Sequence, residues 1–185
     1  MHTLLFGYGS LINLESASKT LKRKLEKHDV YPSSLQGYIR EWNIADDVIA
    51  MELTKIVKGI FLNIIPEKAS HLNGILCSIT DNELSMMKVR EKNYDCVDVT
   101  ALITCDFFSL KSHKVVTFIG KQENIIKEDD GNCYVFHQYV KKVIKGVHDF
   151  GKAFNEEFNQ TTMPYSFPTL HGDYQFVDAI QNKSR

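Results

Sequence analysis

Cysteine is sparse in this chain and shows no pairing pattern. Cys77, Cys96, Cys105 and Cys133 are scattered, with no Cys-x-x-Cys among them. That argues against a disulfide framework and against a zinc site, so reduced thiols and no metal are expected. Internal repeats and low-complexity tracts are missing as well. A single domain over residues 1–185 is therefore expected, long enough to bury a substantial core. Charge of neither sign is in excess: 22 basic residues face 23 acidic ones, a net charge of −1. Nothing in that balance calls for nucleic acid or an anionic membrane as partner. The local group Lys22, Arg23, Lys24 and Lys27 reads as the solvated face of a helix. No stretch reaches the roughly 18 to 20 apolar residues of a membrane-spanning helix. The first residues lack a basic segment leading into an apolar one, so no secretory signal is read and the cytoplasm is the expected location.

What the chain does have is short apolar runs broken by turn residues. Residues 2–8 read as a strand and 14–27 as a short polar helix. From 29 to 66, β-branched and aromatic residues punctuated by Pro32, Gly37 and Gly59 predict several short strands, and 73–79 another. Thr80 with Glu83 three residues on has the form of a capping box. It predicts a helix with Leu84, Met87 and Val89 inward, ending near Glu91 or Lys92 with Asn93 as a left-handed cap. Residues 94–108 are β-rich, with 113–119 as their hairpin partner. Residues 121–133 read as an exposed loop. Apolar residues from Val135 to Phe158 recur at helical spacing, divided at Gly146 or Gly151. The stretch 159–185, with Pro164 and Pro168, is expected to be an irregular C-terminal arm. Many strands and few, irregularly placed helices predict an α+β domain.

Two places carry candidate chemistry. The first is the loop Gly7-Tyr8-Gly9-Ser10-Leu11 after the first strand. Its glycines allow a positive φ or a close backbone approach, and successive turn amides can bind an anion. A dinucleotide fingerprint would need a glycine at Ile12, and a Walker A loop would need Gly-Lys-Ser/Thr, so both phosphate readings fail. The second is Glu91, at the negative end of a helix dipole. There a carboxylate is disfavoured, as a general base working near neutral pH requires. Its bland alternative is a surface ion pair with a neighbouring Lys or Arg. Cys133 and His137, four apart, could share a helical face, but no second pair completes a metal site. Glu128-Asp129-Asp130-Gly131 lacks the spacing of a calcium loop. Tyr38, Arg40 and Trp42 alternate as on one face of a strand.

Phe6-Gly7-Tyr8-Gly9-Ser10-Leu11, Gly37-Tyr38-Ile39-Arg40, Asn73-Gly74-Ile75-Leu76, Arg90-Glu91-Lys92-Asn93-Tyr94 and Asn132-Cys133-Tyr134-Val135 occur in that order. Together they resemble the γ-glutamylcyclotransferase-like superfamily, including ChaC-type enzymes, over residues 3–158. Two departures stand out: one residue fewer between Glu91 and Tyr94 than in ChaC enzymes, and Asn132-Cys133 where relatives often have Pro-Ser. The resemblance implies a small mixed β-barrel with surrounding helices. It implies cyclisation of a small γ-glutamyl compound to 5-oxoproline with release of an amine or amino acid, and no cofactor. It makes Glu91 the catalytic general base and acid, and Gly7, Tyr8, Gly9, Ser10 and Leu11 the substrate loop. Tyr94 and Tyr134 become candidate hydroxyl donors. The alternatives are a non-catalytic relative that binds a small carboxylate ligand or a protein, and a cysteine hydrolase on a similar barrel.

Overall fold

In the computed structural model, which describes residues 2–127 and 129–183, the first apolar run is a central strand. Strand β1 (His2–Gly7) buries Leu4, Leu5 and Phe6 consecutively, because the sheet continues on both its edges and both its faces are covered. Two long antiparallel strands follow, β2 (Val30–Ala50) and β3 (Lys55–Ile79), joined by a turn in which Thr54 is left-handed, φ 51°. They replace the several short strands expected over 29–66, and residues 73–79 are the end of β3. Gly37, with φ 79°, lies at an irregularity between Gln36 and Tyr38, and a second register shift falls between Trp42 and Ile44. These irregularities bend the pair without ending it.

Beyond them run β4 (Tyr94–Asp98), β5 (Ile103–Thr104) and β6 (His113–Gly120). β4 and β6 form the expected antiparallel pair, whereas β5 leaves it to join β2. The main path of the sheet is β4-β6-β1-β3-β2-β5, parallel at β1–β6 and antiparallel at β1–β3. It curls into a mixed half-barrel with helices around it. Strand β7 (Cys133–Phe136) runs parallel to β3, β8 (Thr169–Leu170) parallel to β7, and β9 (Tyr174–Phe176) antiparallel to β2. The arm over 159–185 is thus stitched to the sheet where an irregular segment was expected. Met1, Glu128 of the 121–133 loop, and Ser184 and Arg185 of the arm lie outside the described residues.

Helix α1 (Leu14–Leu21) starts where the Asn13 side chain accepts from the Ser16 amide, and it ends short of Lys27 with Lys22 left-handed. Helix α2 (Asp81–Arg90) has the capping box: Thr80 Oγ1 accepts from the Glu83 amide and Glu83 accepts from the Thr80 amide. Its buried face is Glu83, Met87 and Arg90, while Val89 points outward at 56% exposure. Glu91, not Asn93, caps the helix, and no left-handed turn is needed: the Glu91 amide donates to Met87 at 2.8 Å. The helical stretch expected from Val135 begins later, as α3 (His137–Asp149). It breaks at Gly151, φ 92°, before α4 (Lys152–Gln160). Gly146 stays inside α3, where a Cβ would lie 2.5 Å from the Asn13 backbone. α3 therefore lies directly on the turn that follows β1. The last helix, α5 (Ala179–Lys183), follows β9.

Candidate active site

β1 delivers its loop into a cleft. After Gly7 the chain passes Tyr8 and Gly9 into one 3-10 turn, Ser10–Ile12. Neither glycine has a positive φ. Gly7 is needed for closeness, since a Cβ there would meet Leu11 Cβ at 2.9 Å. The amides of Ile12 and Asn13 turn back onto the carbonyls of Gly9 and Ser10. Those of Gly9, Ser10 and Leu11 have no acceptor among the described residues, as the opening amides of a helical turn must.

Arg40 fixes the loop from below. It is wholly buried, and its Nε donates to the Tyr8 carbonyl at 2.8 Å. Its other nitrogens bind Thr161 Oγ1 and both oxygens of Asn73, and its guanidinium lies 4.2 Å above the Phe158 ring. Burial pulls Arg40 down to about 9, with Glu157 and Tyr8 opposing that pull. The Tyr8 hydroxyl donates to the Phe118 carbonyl at 2.7 Å. Burial, then the neighbouring Tyr139 and Glu91, raise its pKa well above 10, so it remains a neutral donor.

Glu91 reaches the same cleft from the end of α2. Its side chain is 12% exposed, and Arg90 Nε lies 3.1 Å from its Oε1. Arg90 is held in turn by the Thr20 hydroxyl of α1. The chain then reverses, with the Tyr94 amide on the Glu91 carbonyl at 2.8 Å. The Tyr94 hydroxyl donates across to the Leu62 carbonyl of β3. The cleft has a volume of about 480 Å³ counted to its open mouth, and residues 6–11, Glu91, Tyr94 and Tyr139 line it.

No family model matches the chain, and no curated protein does. Solved structures do match. A γ-glutamyl cyclotransferase structure is 13% identical over 92% of this chain and 94% of its own, with a TM-score of 0.58. A γ-glutamyl cyclotransferase specific to glutathione, from yeast, is 14% identical over 89% and 99%, with a TM-score of 0.57. The uncharacterised human protein loc79017 is 12% identical over 99% and 98%, with a TM-score of 0.58. The chain has the γ-glutamyl cyclotransferase fold.

Within that fold, the structure brings Gly7, Tyr8, Gly9, Ser10, Leu11, Glu91 and Tyr94 around one cleft. Tyr134 stands apart: it lies in β7, paired with Gly59, and does not line the cleft. Tyr139, one turn into α3, lines it instead. Its ring meets Phe61 and Trp42 edge-on, and its hydroxyl lies 3.4 Å from where a Gly9 Cβ would be. Helical spacing had marked Tyr139 only as an apolar-face residue. Arg40 was legible as one of three alternating strand residues, and an arginine amid apolar neighbours on a strand was the available signal. Cys133 and His137 fall in a strand and a helix, so they share no helical face. Burial pushes the Cys133 thiol up to about 11 and raises those of Cys77 and Cys96, which disfavours a thiolate nucleophile at these three positions. No helix among the described residues is long and apolar enough to cross a membrane.

Proposed function

We propose that the protein is a γ-glutamyl cyclotransferase, converting a small γ-glutamyl compound to 5-oxoproline and a released amine or amino acid. The observation that carries this reading is the meeting of the Glu91 carboxylate and the Gly7–Leu11 loop in one cleft.

The reaction is internal to the substrate. Glu91 takes a proton from the α-ammonium group, and the freed amine attacks the γ-carbonyl carbon. A C–N bond forms and the carbonyl oxygen takes up the negative charge. As the carbonyl re-forms, the bond to the leaving nitrogen breaks and Glu91 returns its proton to that nitrogen; the second proton of the ring nitrogen follows the same route through Glu91, so the ring keeps one N–H and the amine departs as an ammonium ion. No water is consumed. The amides of Gly9, Ser10 and Leu11 would hold the α-carboxylate or the oxyanion. A nucleophile and electrophile joined in one molecule need mainly to be folded together, so a narrow cleft suits the task. Tyr94 and Tyr139 would shape that fold of the substrate, and Tyr8 supports the wall behind it.

Purified protein should release 5-oxoproline from at least one member of a panel of γ-glutamyl dipeptides, glutathione and γ-glutamylamines. Glu91→Gln should lower that release by at least about a hundredfold, the range of a lost general base, in protein that is still folded by circular dichroism. Activity surviving in the folded Gln variant would remove Glu91 from this role. A second reading has its own observation, the Arg90 guanidinium at 3.1 Å from Glu91. In it Glu91 is a structural ion pair, and the cleft binds a small carboxylate without turning it over. Calorimetric binding of a γ-glutamyl compound with no product would favour that reading.

A further inference from the structure

Residues 6–11, 37–40 and 73–76 lie far apart in the sequence and meet at Arg40. The proposed reaction makes no use of Arg40 or of Asn73. Taking a guanidinium wholly out of water is costly, and an apolar side chain of similar size could fill the space without that cost. Its bonding shows what it does there. Nη2 donates to the carbonyl and the amide oxygen of Asn73, and Nη1 to Thr161 Oγ1 at 2.9 Å. Asn73 is fixed in turn, since its Nδ2 donates to the Phe154 carbonyl of α4 at 2.7 Å. The Arg40 backbone is tied to the segment after α4. Its amide donates to the Thr161 carbonyl at 3.0 Å, and its carbonyl accepts from the Met163 amide at 2.9 Å. A guanidinium held this way cannot turn, and its Nε is aimed at the Tyr8 carbonyl.

The bond to Tyr8 fixes more than a carbonyl. A peptide group is planar, and the one between Tyr8 and Gly9 is trans, so its C=O and N–H point in opposite directions. With the carbonyl turned onto Arg40, the Gly9 N–H is turned away from it. Gly9 lines the cleft and has no side chain to cover its own amide. The residue is buried, and its amide meets no acceptor among the described residues. Buried amides without an acceptor are rare, and one at the wall of a cleft is free for a ligand. Tyr8 is anchored at its far end as well, through the bond from its hydroxyl to the Phe118 carbonyl.

Resting on the cyclotransferase reading, we infer that Arg40, locked by Asn73, is a positioning residue for the reaction: by holding the Tyr8 carbonyl it aims the Gly9 amide at a negatively charged oxygen of the bound γ-glutamyl group. Arg40 touches no substrate and acts through the peptide it orients. This role is separate from its part in stability. Without Arg40, the 3-10 turn at Ser10–Ile12 and the close packing of Gly7 on Leu11 still hold the loop in place, but the peptide between Tyr8 and Gly9 is released to rotate. A donor that has rotated away no longer stabilises the transition state, and one such donor is worth about a hundredfold in rate.

The test pairs kinetics with a direct view of the amide. At a temperature where the variants are folded by circular dichroism, Arg40→Met should lower kcat/KM for 5-oxoproline release by about a hundredfold. Arg40→Lys, which keeps the charge and one donor, should rescue part of that loss. Leu25→Ala is the control: Leu25 is buried, does not line the cleft and is not bonded to Arg40. It should stay within about twofold of wild type despite its lost stability. In nitrogen-15-labelled wild type, added 5-oxoproline should move the Gly9 amide proton downfield, since this product carries both the α-carboxylate and the former γ-carbonyl oxygen. In Arg40→Met that shift should be lost. Wild-type kcat/KM in folded Arg40→Met, an equal fall in Leu25→Ala, or a wild-type Gly9 amide that ignores 5-oxoproline overturns this inference and leaves the cyclotransferase reading standing. The last measurement decides even if neither Arg40 variant folds. No 5-oxoproline release by the wild type from any γ-glutamyl compound of the panel overturns both.

Discussion

Arg40 shows how one residue ties the sheet to the loop. Its guanidinium spends its hydrogens on the Tyr8 carbonyl and on the Asn73 carbonyl and amide oxygen, all buried, and on Thr161 Oγ1, which is part-buried. Removing it would relieve the burial of a charge, but would leave at least two buried carbonyls without a donor. Each such group costs about 1–3 kcal/mol, so the second effect wins. Arg40→Met is expected to lower stability by about 2–5 kcal/mol in urea unfolding. Arg40→Lys should recover only part of that, because one ammonium cannot reproduce a planar fork that spans separate acceptors. A loss below about 1 kcal/mol in the Met variant would mean that the loop is held by other contacts. At this scale the candidate site was partly readable. The loop and Glu91 stand out because glycines and a helix-end carboxylate have few uses. Tyr139 and Arg40 do not, since an aromatic at helical spacing and an arginine on a strand are consistent with ordinary packing until the neighbours are known.

Among the elements, α2 carries Glu91, and its start is the best-defined local signal in the chain. Thr80 and Glu83 cap each other as the sequence predicts, and Glu83 also takes the Arg23 guanidinium at 2.6 Å. Burial works against the Glu83 carboxylate, but the Thr80 amide and hydroxyl and Arg23 outweigh it, so its pKa falls below 4.5. A carboxyl whose folded pKa is depressed contributes stability above its unfolded pKa, and that contribution is lost as pH falls through the folded value. Glu83→Gln should therefore lower the melting temperature near neutral pH. The gap to wild type should narrow once the pH drops below about 4.5. Melting curves that stay parallel between about pH 7 and pH 3 would show that Glu83 is not ionised in this role. The long strands were harder to read. Pro32, Gly37 and Gly59 look like strand ends, yet all three lie within β2 or β3. A glycine that ends a strand and one at an irregularity within it have the same local sequence. Only the partner strand, through its register, decides between them.

For the whole molecule the decisive connection is between the C-terminal arm and the cleft. Turn residues and prolines made this arm read as irregular, because strands of two and three residues leave almost no periodic signal. In the fold, Phe176 of β9 is buried, pairs with Val48 of β2, and stacks on Phe61 with centroids 5.4 Å apart. Phe61 in turn meets Tyr139 edge-on at 5.0 Å. The chain of rings runs from the arm through the half-barrel to the cleft wall, so a void at one end loosens the packing at the other. Phe176→Ala should cost about 3–5 kcal/mol, the range for a buried phenylalanine truncated to alanine. Phe176→Leu refills much of the volume and should cost less. If the arm only adds stability, both variants should keep wild-type kcat/KM at temperatures where they remain folded. If it holds Tyr139 in place, 5-oxoproline release should fall in the order wild type, Leu, Ala, with the Ala variant still folded by circular dichroism. The stacked and edge-on rings favour the second outcome, because Phe61 has Phe176 against one side and Tyr139 against another and cannot shift toward the void without withdrawing from Tyr139.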